Sequence, residues 1–240
     1  MKKISLLILI LFICLFSQAQ NKKTNNIDLS NRANDHIMLQ LSNDSWIGAP
    51  DSINTHISGI GRGFNGYFMI DKPFRTNPHL SIGFGAGIST SNIFFKDMVI
   101  ENTATTATLK FTETDSTGSY KKYKLTTAYI EAPIEIRYSS SPENSNKSIK
   151  AAIGIKVGTP INAHTKGKLL RTSSGQTIVD GIEKESSKRY FNSTRIALTA
   201  RVNYGIFGLF GSYSLSPLFK NGVASQNTKV LQVGLMISGL

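Results

Sequence analysis

The 240-residue chain has one cysteine, one tryptophan and four histidines, and beyond position 20 no apolar run exceeds four residues. The single thiol, Cys14, lies inside an opening apolar stretch at residues 4–16. Disulfides, cysteine-based zinc sites and a cysteine nucleophile are therefore excluded from everything that follows it. The histidines are His36, His56, His79 and His164, and none stands in an H-x-x-x-H or H-E-x-x-H spacing. A helical zinc site is thereby excluded. There is no G-x-S-x-G elbow and no phosphate loop. Gly83, Gly85 and Gly87 recur with period two inside a strand pattern, whereas a nucleotide loop needs a following helix. These absences predict no catalytic residue, no cofactor and no metal. The short apolar runs also exclude membrane helices, which need about 20 apolar residues. A membrane location would then require a closed barrel, since only helices and barrels satisfy every backbone group in lipid.

What is present begins with Lys2 and Lys3, the apolar run, and the small residues of Ser17-Gln18-Ala19. That order predicts a secretory signal peptide over 1–19, cut after Ala19 or Gln20. Residues 20–35 are polar and read as a flexible lead-in, and 36–240 as one β-barrel domain. The formal charge of +12 falls to +10 once Lys2 and Lys3 are removed. For an exported chain this balance points to acidic lipid headgroups or lipopolysaccharide, and nucleic acid is not an expected partner.

Period-2 alternation recurs in eight runs, 36–42, 56–71, 78–90, 124–138, 148–163, 191–204, 207–215 and 229–240, and helical periodicity does not. In 148–163 one face carries Ile149, Ala151, Ile153, Ile155, Val157 and Ile161; in 229–240 it carries Leu231, Val233, Leu235 and Ile237. The connections measure 13, 6, 33, 9, 27, 2 and 13 residues, so long and short alternate without exception. This sorting predicts an all-β, eight-stranded antiparallel up-and-down transmembrane barrel in the outer membrane, with long outer loops and short periplasmic turns.

If the greasy face meets lipid, Glu131, Glu135, Arg137, Lys150, Lys156, Arg195 and Arg201 meet the lumen. A barrel of this size has an interior filled by its own side chains, so these seven predict a plug of paired charges rather than an ion path. Aromatics should collect at the two interfaces. Phe68, Tyr138, Tyr204 and Phe207 fall near the short-turn ends; Trp46, Phe94, Phe95, Tyr123, Tyr190 and Tyr213 fall near the long-loop ends. The segments 91–123 and 164–190 read as displayed loops. In the second, Lys166, Lys168 and Arg171 are candidate contacts to lipopolysaccharide phosphates. A rim enzyme acting on lipid is the alternative from another class; it would draw on His164 with Ser193 or Ser89.

The strand Tyr129-Ile130-Glu131-Ala132-Pro133-Ile134-Glu135-Ile136-Arg137-Tyr138 resembles the Y-x-E-x-P-x-x-x-R/K-Y strand of the PorT-like outer-membrane β-barrel family. Gly154-Ile155-Lys156-Val157-Gly158 is similar to the strand that follows it there, and residues 211–219 to that family's next-to-last strand and loop. The resemblance implies an eight-stranded outer-membrane barrel; the reading of the residues themselves adds a monomeric barrel with an anchoring, structural or interaction role. It also raises an accessory place in a protein-secretion or envelope complex, since the founding member is linked to such a machine.

Overall fold

The computed structural model describes residues 36–114, 119–144, 147–171, 176–224 and 227–239. The signal peptide expected at 1–19 and the lead-in at 20–35 lie outside the described residues. The strands are β1 (Ile37–Ile47), β2 (Gly61–Pro73), β3 (Leu80–Phe95), β4 (Met98–Ile100), β5 (Phe111–Glu113), β6 (Ser119–Ser139), β7 (Ile149–Arg171), β8 (Thr177–Ser186), β9 (Arg195–Tyr204), β10 (Phe207–Ser214) and β11 (Lys229–Ser238). A single helical turn, α1 (Asp51–Asn54), follows β1. No helix among the described residues is long and apolar enough to cross a membrane.

Eight of the strands close on themselves in the order β1-β2-β3-β6-β7-β9-β10-β11, with β11 returning to β1 and every pair antiparallel. The expected eight-stranded up-and-down barrel is what the chain forms. Strands β4 and β5 make a separate hairpin, and β8 continues the sheet beside the far half of β7. Each chain reversal fits its sequence. The two-residue turn between β9 and β10 puts Gly205 at φ 58°, the positive value this hairpin needs at its first central position. Pro133 has no N–H for a ladder bond, and pairing of β6 with β3 skips from Phe84↔Ile134 to Gly87↔Glu131 around it.

Burial is inverted relative to a water-soluble protein. On β9 buried and exposed residues alternate throughout, with Arg195, Ala197, Thr199, Arg201 and Asn203 inside and Ile196, Leu198 and Val202 outside. Ile153 and Leu235 are each 65% exposed, while Glu135 is 2% and Gln232 0% exposed. An apolar belt of this extent around a closed sheet has no place in water and matches a hydrocarbon layer. An arginine in place of Ile155, midway along the β7 part of the belt, should therefore cost about 2–4 kcal/mol on transfer to lipid. Equilibrium unfolding from lipid vesicles measures it, with Lys150→Arg at the rim as the near-neutral control.

Four strands run past the belt, and here the sequence expectation needs correcting. The run 36–42 extends to Ile47, 78–90 continues to Phe95, 124–138 begins at Ser119, and 148–163 continues to Arg171. Much of 91–123 and 164–190 is thus wall rather than loop: residues 91–95 belong to β3, 119–123 to β6, 164–171 to β7 and 177–186 to β8. The cause is a change of phase. Below, Ile88, Ile130 and Ile134 point outward; above, Ile93, Phe95, Tyr123 and Leu125 point inward. A strand leaving lipid for water exchanges its apolar face, so a search for one continuous greasy face stops at the boundary.

Candidate functional site

Inside the belt, side chains from all eight barrel strands meet. Glu131 on β6 lies 3.3 Å from the Lys156 ammonium of β7 and 3.1 Å from the Arg195 guanidinium of β9. The Tyr67 hydroxyl on β2 donates to Glu131 Oε2 at 2.6 Å and accepts from Lys156 Nζ at 3.2 Å. Arg195 lies over the Tyr129 ring, 5.0 Å from its centroid, and donates to Ser214 Oγ at 3.1 Å and to Gln232 Oε1 at 3.4 Å. Gln232 in turn donates to Asp44 at 3.0 Å. Ser89 donates to Asn65 at 2.7 Å, and Asn65 to Gln40 at 3.1 Å, which carries the network around to β1.

A second group sits nearer the short turns. Glu135 lies 3.1 Å from Arg137 Nε and 3.0 Å from Arg201 Nη2, and Arg137 reaches Asp71 on β2 at 3.5 Å. Glycines make the room: a Cβ on Gly158 would stand 2.7 Å from Glu131 Cγ, and one on Gly83 would run into the Arg137 guanidinium. An unpaired charge is costly in so buried an interior, and pairing with added hydrogen bonds offsets that cost.

Six of the seven lumen residues expected from sequence are thus in ion pairs: Glu131, Glu135, Arg137, Lys156, Arg195 and Arg201. Lys150 is half-buried at the short-turn end of β7, opposite Ser139 and Asn203. Sequence reasoning missed Asp44, Asp71, Tyr67 and Gln232. Asp44 lies beyond the point where the first run was ended, and Asp71 closes its run where the face is hard to assign. With Asp44 and Asp71, four carboxylates among the described residues face the buried bases Arg137, Lys156, Arg195 and Arg201 and the half-buried Lys150, where the sequence had suggested two acids against five bases.

Above this polar layer the interior becomes apolar and the connections fold over it. Trp46, Phe95, Tyr123, Leu125 and Val230 from the wall pack with Ile53, Ile100, Leu109, Phe191, Leu218 and Phe219 from the connections. Phe219 is fully buried at the centre, its ring 5.4 Å from Phe191, 5.7 Å from Trp46 and 6.1 Å from Phe111. Tyr190 ties two connections together by hydrogen bonds to the Ala104 carbonyl and, at 3.0 Å, to that of Thr106. The girdle expected at this end is accordingly corrected. Trp46, Phe95, Tyr123 and Tyr190 build the cap, because they fall on the inward phase of strands or connections above the belt. Phe68, Tyr138, Tyr204 and Phe207 do stand exposed on the outer face at the short-turn end.

The remaining expected residues lie on the wall's outer side. Lys166 and Lys168 alternate with buried Thr165 and Gly167 and so point outward on β7; the side chain of Arg171 lies outside the described residues. His164 bonds Asn162 at 2.8 Å on the outer face, while Ser89 is buried inside, so the two are not brought together. Ser193 is exposed in the connection leading to β9.

Residues 16–220 match the family described as outer membrane protein beta-barrel domain. The chain belongs to that family. A comparison with curated proteins finds no match. Among solved structures, this outer-membrane barrel is similar to Ail, the attachment invasion locus protein of Yersinia pestis. In complex with the heparin analogue sucrose octasulfate, that protein aligns at 15% identity over 84% of this chain and 94% of its own, with a TM-score of 0.33. A second Ail structure aligns at 14% identity over the same shares, with a TM-score of 0.28. Family membership and the exposed belt together make the barrel a membrane-spanning wall rather than a soluble container.

Proposed function

We propose that this outer-membrane barrel conducts nothing and serves as an anchored platform, presenting its folded cap outside the cell as an interaction surface. The observation that carries the reading is the doubly filled interior: ion pairs at belt level and an apolar core above them. An eight-stranded barrel has space only for its own side chains. Here the carboxylates at belt level are taken up by the bases beside them, which leaves no lined path of one charge for a permeant ion. Long connections at one end and short turns at the other support a cap outside the cell, with the short-turn residues 74–79, 140–144, 147–148 and 205–206 on the periplasmic side.

The PorT-like resemblance fits within this proposal. Four of its five motif residues, Tyr129, Glu131, Pro133 and Arg137, face the interior, and the fifth, Tyr138, stands on the outer face, so the motif fits a part in building the barrel. A secretion or envelope partner would then be contacted through the cap. Export is assigned to residues 1–19, and mass spectrometry of the mature chain should find its first residue at Gln20 or Asn21.

Planar-bilayer recording tests the central part. Purified wild-type barrel should give no conductance steps, although carbonate-resistant outer-membrane fractionation finds it inserted. Regular steps that scale with the amount inserted would overturn the platform reading.

A further inference from the structure

The wall is tallest along β3, β6, β7 and β8. These strands rise past the belt, and their outward face there is basic. Lys124 of β6 stands directly opposite Lys166 of β7, and Lys166 directly opposite Lys184 of β8. Phe94 of β3 ends this row opposite Lys124, with the Arg62 guanidinium 5.7 Å and the Lys124 ammonium 6.0 Å from its ring centroid. One row further from the belt, Lys122 stands opposite Lys168. One row nearer, Asn92, Thr126, His164 and Ser186 are polar and carry no carboxylate.

Like charges directly opposite on a sheet destabilise it. The carboxylates flanking Lys184 do not offset them, because Glu183 and Glu185 alternate to the other side, where Glu183 accepts from the Tyr120 hydroxyl. Burial and then the positive charges of Lys184, Lys124 and Lys166 hold the His164 imidazole below its ordinary value. Lys124 is lowered in the same way by burial, Lys166 and Arg62. Beside the row lies a groove of about 500 Å³ whose lining includes Ile60, Arg62, Phe94, Tyr120 and Lys122.

We infer that the row Lys124–Lys166–Lys184, with Arg62, Phe94 and the adjoining groove, grips the phosphorylated headgroup of a glycolipid whose acyl chains lie on the belt beneath. Position decides the occupant: the row faces sideways, one polar step above the apolar surface, where a lipid places its phosphate. Aromatic Phe94 offers a face for a sugar ring, and the lysines supply charge-assisted donors to phosphate oxygens. Of the cations expected from sequence, Lys166 stands in this row and Lys168 in the next, and the register adds Lys124, Lys184 and Arg62 from other strands. The inference rests on the cap end facing the outer leaflet.

Full-length protein in phosphatidylcholine nanodiscs is supplied with traces of diphosphoryl lipid A or its dephosphorylated form, and retained glycolipid is counted by mass spectrometry. Wild type should retain the phosphorylated form on the order of tenfold or more over the other. The variant K124Q/K166Q/K184Q should lose that preference, and K188Q/K220Q, which removes two exposed cap charges, should keep it. Equal retention of both lipids by wild type overturns the inference without reference to any variant. So does an unchanged preference in the triple variant, or full displacement by inorganic phosphate, which would mark a free-anion site. Carbonate resistance of native outer membranes reports on the barrel reading by itself, and failure to insert would overturn that reading as well.

Discussion

Replacing Glu131 by alanine should destabilise the folded barrel by about 3–5 kcal/mol, because it leaves two buried cations without a carboxylate. Lys156 and Arg195 both lie within 3.3 Å of Glu131, and both are almost wholly buried. Neither can turn to water, since the lipid side of the wall is apolar and the cap closes the space above. Glu135→Ala should behave alike by stranding Arg137 and Arg201. The informative comparison is the triple replacement Glu131→Leu, Lys156→Met, Arg195→Met. It removes the charges together, so most of the loss should be recovered, as expected when desolvation of the ions is avoided. Urea unfolding from vesicles, followed by heat-modifiable migration, measures both. A single variant as stable as wild type would mean that the cations do not depend on their carboxylate, and the paired interior would have to be abandoned as a source of stability.

Phe219→Ala should open the cap without opening the barrel. Truncating a fully buried phenylalanine costs about 3–5 kcal/mol, and this one is held by Trp46, Phe111 and Phe191. Trp46 is the only tryptophan, so its emission reports on the cap alone. The expected result is a red shift and tryptic cleavage of the long connections at denaturant concentrations where the barrel still migrates as folded. Conductance should stay absent, because the ion pairs around Glu131 and Glu135 lie below the cap. Loss of cap and barrel in one transition would show that the two layers form a single cooperative unit.

Strand number, order and outward face were legible in the sequence because lipid imposes one rule on every strand. Runs such as 148–163 keep their apolar residues on one side for the full depth of the belt. The lumen was legible where charges interrupt that alternation, at Glu131, Glu135 and Lys156. Asp44 and Gln232 escaped because a polar residue on β1 or β11 looks the same whether it faces a lumen or water. The cap escaped for a different reason. Its residues come from connections without periodicity, such as Leu109, Phe191 and Phe219, and from wall positions whose apolar face has changed sides, such as Phe95 and Tyr123. Only pairing across the sheet tells on which side each of those falls. The lysine row shows the same limit: Lys124, Lys166 and Lys184 are far apart in the chain and become neighbours through the register of β6, β7 and β8.

The inversion of faces is the claim on which the rest depends, and single cysteines along β7 test it most directly. Cys14 is the only native cysteine, so it is replaced by serine and one new cysteine is placed at each position from 152 to 157. Each is labelled with a fluorophore and exposed to brominated lipid, which quenches on contact. Strong quenching at 153, 155 and 157 and weak quenching at 152, 154 and 156 is the result expected of a lipid-facing apolar belt around a filled polar interior. Quenching at the even positions, or at none, would contradict it.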